Sequence, residues 1–115
     1  MLIQYKTKEL QKCAEIPGYA IKKLGAIQAE KYLQRIGYLD AAISFEDLRF
    51  VPGRFHELSE NRKGQWAFDL NQPYRLIVTP YTQPIAMNEN GSYIWSKIMD
   101  VLIVEIINYH RDKRN

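Results

Sequence analysis

At Pro52-Gly53 the spacing of apolar residues changes from helical to strand-like, so the two halves of the chain are expected to fold as different layers. After the break, "GQWAFDL" sets Trp66, Phe68 and Leu70 on one face and Gln65, Ala67 and Asp69 on the other, the alternation of a half-buried antiparallel strand. A turn at Asn71-Gln72-Pro73 leads into "YRLIVTP", which places Tyr74, Leu76 and Val78 on one face and Arg75 and Ile77 on the other. These segments predict a hairpin. "VLIVEIINY" is apolar on both faces, which predicts a strand in the interior of the sheet. Between them, residues 80–98 carry two prolines and Asn88-Glu89-Asn90-Gly91, and read as a long excursion with a helical turn around Ile94 to Ile98.

The half before the break is helical. "LIQYK" at residues 2–6 suits a short strand, and "TKELQKCAE" a helix with Thr7 near its N-cap and Pro17-Gly18 as its stop. From Tyr19 a second helix is expected, with Leu24, Ile27, Leu33, Ile36 and Leu39 on its apolar side and Lys22, Lys23, Glu30, Lys31 and Arg35 opposite. Gly25 and Gly37 within it each cost about 1 kcal/mol relative to alanine, so this helix needs packing against a sheet. "SFEDL" at Ser44 to Leu48 reads as one capped helical turn. The expected architecture is α+β: two N-terminal helices packed on one side of a small, mainly antiparallel sheet, all within a single domain of 115 residues.

Composition sets the outer bounds. An apolar fraction of 46% with 25% charged residues is ordinary for a globular chain, and no run of 18 apolar residues is available to span a bilayer. "MLIQYKTKEL" lacks the pattern of a secretory signal, so a soluble cytoplasmic protein is expected. The lone Cys13 fits a reducing compartment and reads as a small helix residue. A net charge of +3 mildly favours a polyanionic partner. The basic residues gather in two groups, Arg54, Arg62, Lys63 and Arg75, and then Arg111, Lys113 and Arg114, which would make a phosphate-binding face if folding brought them together.

The chain has only two histidines, His56 and His110, and both flank these basic groups. Cutting RNA without a metal requires a base for the 2′-OH proton, cations for the phosphorane charge, and an acid for the departing 5′-oxygen. Histidine serves either proton role near neutral pH, arginine holds phosphate oxygens, and Tyr109 can stack on a base or donate its hydroxyl. The plainer readings are a surface or semi-buried His56, an ordinary terminal His110, solvated turn charges at Arg62-Lys63, and a structural ion pair of Arg75 with Asp69 or Glu105. There is no Gly-rich phosphate loop, HExxH, paired cysteine or GxSxG motif, and a two-histidine metal site lacks an evident carboxylate at ligand spacing, so neither metal nor cofactor is expected.

"FHELSENRKGQWAFDLNQPYRLIV" followed by "VEIINYHRDK" resembles the HigB-like branch of the RelE/ParE toxin superfamily, the plasmid maintenance killer proteins. The resemblance rests on His56 and Leu58, Arg62, Gly64 and Trp66, Tyr74 and Arg75, then Tyr109 and His110, and covers about half the chain from Phe55 onward. It implies a microbial RNase-like fold and a toxin that cleaves mRNA in the ribosomal A site. It also implies a cognate helix-turn-helix (HigA-like) antitoxin, with operator DNA contacted only through that partner. By position, His56 and His110 correspond to acid/base residues, Tyr109 to a positioning residue and Arg75 to a phosphate contact. Arg54, Arg62, Lys63, Asn108, Arg111 and Lys113 are the further RNA-binding candidates. Active members of the branch commonly have an acidic residue where this chain has Asn108, and residues 80–98 are longer than in the most compact members. Two other readings follow from the same fold: an inhibitor of a protein target such as gyrase, and a weakened toxin acting through antitoxin binding and operon control.

Overall fold

A computed structural model describes Met1–Tyr109, so the expected roles of His110, Arg111, Lys113 and Arg114 lie outside the described residues. Strand β1 (Leu2–Tyr5) is followed by helices α1 (Lys8–Glu15), α2 (Tyr19–Leu24) and α3 (Ala26–Ala41). Strands β2 (His56–Glu57), β3 (Trp66–Asp69), β4 (Tyr74–Thr79) and β5 (Asp100–Asn108) follow among the described residues. The sheet order is β1-β5-β4-β3-β2, with β1 parallel to β5 and the remaining pairs antiparallel. The α+β class and the β3–β4 hairpin are as expected, and β5 is hydrogen-bonded on both sides.

Among the described residues, three α-helices precede the Pro52-Gly53 break where two were expected. Thr7 caps α1 as anticipated, its hydroxyl accepting from the Leu10 amide at 3.2 Å. The second helix, however, is split at Gly25, whose φ of 83° no helix interior tolerates. The break resets the phase of α3. Its buried stripe is Gln28, Ala29, Tyr32, Arg35 and Leu39, while Ile27 and Leu33 are exposed. Arg35, assigned to the polar side by spacing, is therefore buried. Its Nε donates to the Asp69 carbonyl at 2.9 Å, and its guanidinium lies over the Phe68 ring. Tyr32 is buried with its hydroxyl donating to the Leu10 carbonyl at 2.7 Å, which ties α3 to α1.

The helices cover one face of the sheet. Trp66, Phe68, Leu76, Val78, Val101 and Ile103 enter the main core with Phe45 and Phe55, and each such burial stabilises by about 1.5–3 kcal/mol. Phe45 meets Trp66 edge-on at 5.0 Å. The other face carries a smaller cluster of Ala67, Ile77 and Val104, with Leu58, Leu102 and Ile107 packed against it. A register shift separates these assignments along β5. Ile77 faces Glu105 and Val78 faces Ile103, leaving Val104 as an extra, bulged residue. Without that insertion, Glu105 would turn towards the helices instead of the opposite face.

The 80–98 excursion is built into the fold. Its expected helical turn is a 3-10 turn at Trp95–Lys97, and Ile85, Tyr93 and Trp95 pack against the main core. Trp95 Nε1 donates to Glu57 Oε1 at 3.0 Å, so the excursion braces β2.

Candidate nucleic-acid interface

The face of the sheet opposite the helices collects the polar residues in two adjacent rows. In the first, His56 pairs with Ala67, Ala67 with Ile77, and Ile77 with Glu105. In the second, Asp69 pairs with Arg75 and Arg75 with Ile107. Positions two apart on a strand share a face, so the rows lie side by side on the same surface. Arg54, two residues before His56, reaches the second row: its Nε and Nη2 donate to the two carboxylate oxygens of Asp69 at 2.9 and 3.1 Å. Arg75 Nε lies 3.4 Å from Asp69 Oδ1. One carboxylate thus sits between two guanidinium groups. Beyond β5, the Tyr109 amide donates to the Pro73 carbonyl at 2.8 Å, and the Tyr109 ring lies under the Arg75 guanidinium, 3.6 Å from its centre.

His56 is half-buried, and its Nδ1 stands 2.6 Å from the Arg54 carbonyl. A carbonyl oxygen only accepts, so the neutral ring carries its proton on Nδ1 and leaves the Nε2 lone pair available. Burial pushes the imidazole below its ordinary value of 6.5; the bond to the Arg54 carbonyl and the charge of Asp69 oppose this, while the Arg54 and Arg75 charges add to it. The ring is therefore poised as a neutral proton acceptor at pH 7. Arg54 is held more firmly charged than usual by its bond to Asp69.

The turn between β2 and β3 supplies the next cations. Arg62 folds back across the sheet, donating to Gln65 Oε1 at 2.8 Å and to Glu105 Oε2 at 3.2 Å. Lys63 is exposed at the end of the same turn. Thr79 Oγ1 donates to the Gly64 carbonyl at 2.7 Å and anchors the turn to β4.

The structure thus brings together His56, Arg54, Arg75 and Tyr109 on one surface, with Arg62 reaching Glu105 of β5 beside them. Of the two structural partners considered for Arg75, Asp69 is the one that pairs, and Glu105 takes Arg62 instead. Asn108 departs from the grouping. It pairs with Tyr74, one step out of phase with the Arg75–Ile107 pair, so strand alternation directs it to the opposite face. Asp69 was one of the two partners named for Arg75, and hairpin register from the three-residue turn sets it opposite Arg75. One contributor escaped the sequence reading. Arg35 gave no signal, because its burial depends on where α3 begins. No protein-family model matches the chain, and no curated protein matches it.

Proposed function

We propose that the chain is the toxin of a type II toxin–antitoxin pair, a ribosome-dependent mRNA endoribonuclease of the HigB-like branch of the RelE/ParE superfamily. The observation that carries this reading is the surface on which His56, with Nδ1–H held by a carbonyl and Nε2 unprotonated, adjoins Arg54, Arg75 and Tyr109. In the proposed reaction His56 Nε2 takes the proton of the 2′-OH, whose oxygen attacks the adjacent phosphorus. Arg75 and Arg54 stabilise the charge that develops on the phosphoryl oxygens. The 5′-oxygen leaves as it is protonated, a role for which His110 is the candidate, and a 2′,3′-cyclic phosphate remains. Tyr109, stacked on Arg75, positions the neighbouring nucleotide. Neither metal nor cofactor takes part. The proposed setting is the cytoplasm, with a HigA-like antitoxin as partner.

The experiment is induction without antitoxin, with mRNA 5′-end mapping. Wild type should give cuts within translated codons, and His56→Ala should lower cleavage by about 100-fold or more while keeping the fold. Undiminished cutting by His56→Ala would exclude His56 as the base. A second reading, a toxin that acts chiefly through antitoxin binding and operon control, draws on the carboxylates that already engage Arg54, Arg62 and Arg75. It expects no codon-linked ends from wild type, with antitoxin binding intact.

A further inference from the structure

We propose that Asp69 is the positioning residue of this surface: its carboxylate sets Arg54 and Arg75 side by side and, through Arg54, fixes which nitrogen of His56 carries the proton. The proposal rests on the reading of His56 as the base. Asp69 is itself held from two sides, its amide donating to the Gly53 carbonyl at 2.7 Å and its carbonyl accepting from buried Arg35 at 2.9 Å. Its side chain is only 18% exposed. The carboxylate therefore projects from a fixed point, and both oxygens are engaged by Arg54 in a fork that determines the orientation of the guanidinium.

Arg54 transmits this to the imidazole. Its backbone is left-handed, with φ of 50°, a conformation uncommon outside glycine that persists only where neighbouring contacts hold it. In that conformation its side chain reaches Asp69 while its carbonyl meets His56 Nδ1 at 2.6 Å. Free neutral histidine favours the proton on Nε2, and the carbonyl reverses that preference, leaving Nε2 as the acceptor a base requires. Release of the Arg54 side chain frees the backbone to relax, and the carbonyl moves away from Nδ1. The same carboxylate contacts Arg75 Nε, so it also holds Arg75 against the Tyr109 ring. The charge of Asp69 further offsets the lowering of the His56 pKa by the two arginines.

The test is nitrogen NMR of the imidazole rings in the full chain at pH 8, where His56 is neutral, with His56→Ala used to assign its signals. Wild type should show His56 with the proton on Nδ1. In Asp69→Ala the Nε2–H form should become the majority, and Arg54→Ala should do the same because it removes the other end of the anchor. Arg75→Ala should leave the tautomer unchanged, since the partner of Nδ1 is the Arg54 carbonyl and not Arg75. A folded Asp69→Ala that keeps the proton on Nδ1 overturns the proposal. If that variant does not fold, an unchanged tautomer in Arg54→Ala overturns it equally. Asp69→Asn retains shape without charge and should show a partial shift, whereas a spectrum identical to wild type would count against the carboxylate. The RNA assay is a separate arm. A tautomer change in a protein whose wild type cuts no RNA supports Asp69 and overturns the nuclease reading; intact wild-type cleavage with no tautomer change does the reverse.

Discussion

At His56 a single hydrogen bond decides chemical role, because the Arg54 carbonyl leaves Nε2 as the only ring position able to accept a proton. The pH dependence follows from the direction of its pKa. Burial lowers the folded value below 6.5, so under the proposed function the base limb of kcat/KM should have its midpoint below pH 6.5, and a midpoint above it would exclude His56 as the titrating base. For stability the sign is the same. The unfolded chain binds this proton at higher pH than the folded chain, so the contribution of His56 is present above pH 6.5 and is lost as pH falls through its folded pKa. Asn108, in contrast, is directed away from this surface by strand alternation. If the chain is the proposed nuclease, Asn108→Asp should therefore give no more than about 3-fold gain in cleavage, far below the 100-fold scale of a proton-transfer group. A larger gain would show that the residue acts on the site after all.

At the level of elements, the arrangement depends on how β3 is held at its end. Gly53 has φ of 106°, and a Cβ there would fall 2.5 Å from Arg35 Nε and 3.0 Å from Phe68 Cδ1. The close approach lets the Gly53 carbonyl accept from the Asp69 amide and so brings Arg54 beside Asp69. Gly53→Ala combines a strained backbone with overpacking and should destabilise by about 2–4 kcal/mol, read from the denaturation midpoint. A loss below about 0.5 kcal/mol would mean that the segment moves away at little cost. The hairpin was legible because alternation and the Asn71-Gln72-Pro73 turn both pointed to it. The α2–α3 break was not, because Gly25 at a helix end and glycine inside a helix look alike until φ is known.

At the scale of the whole molecule, the described cations of the candidate surface divide by their partners. Arg54, Arg62 and Arg75 each contact a carboxylate, while Lys63 projects into solvent from the turn. An RNA strand crossing the surface would meet Arg54, Arg75 and Lys63, and neutralising about three phosphates gives a slope near −2 for log affinity against log salt. Lys63→Ala should make that slope shallower by about 0.7 without altering sequence preference, as fluorescence anisotropy with a short single-stranded RNA would read. An unchanged slope would place the strand's path elsewhere. Among the described residues, no helix is long and apolar enough to cross a membrane.

Local information alone determined the α+β class, the hairpin, the interior placement of the last strand and the residues that share a face, because a period of two residues is a property of the chain itself. Arg75 opposite Asp69 and Trp66 in the core are of this kind. Tertiary structure decided the rest: the burial of Arg35, the pairing of Glu105 with Arg62 and the bond between Arg54 and His56. Each depends on a position set between elements, through the phase of α3, the bulge at Val104 and the left-handed turn at Arg54. A one-residue change in any of these turns a side chain to another face, and packing of the two layers selects among those registers.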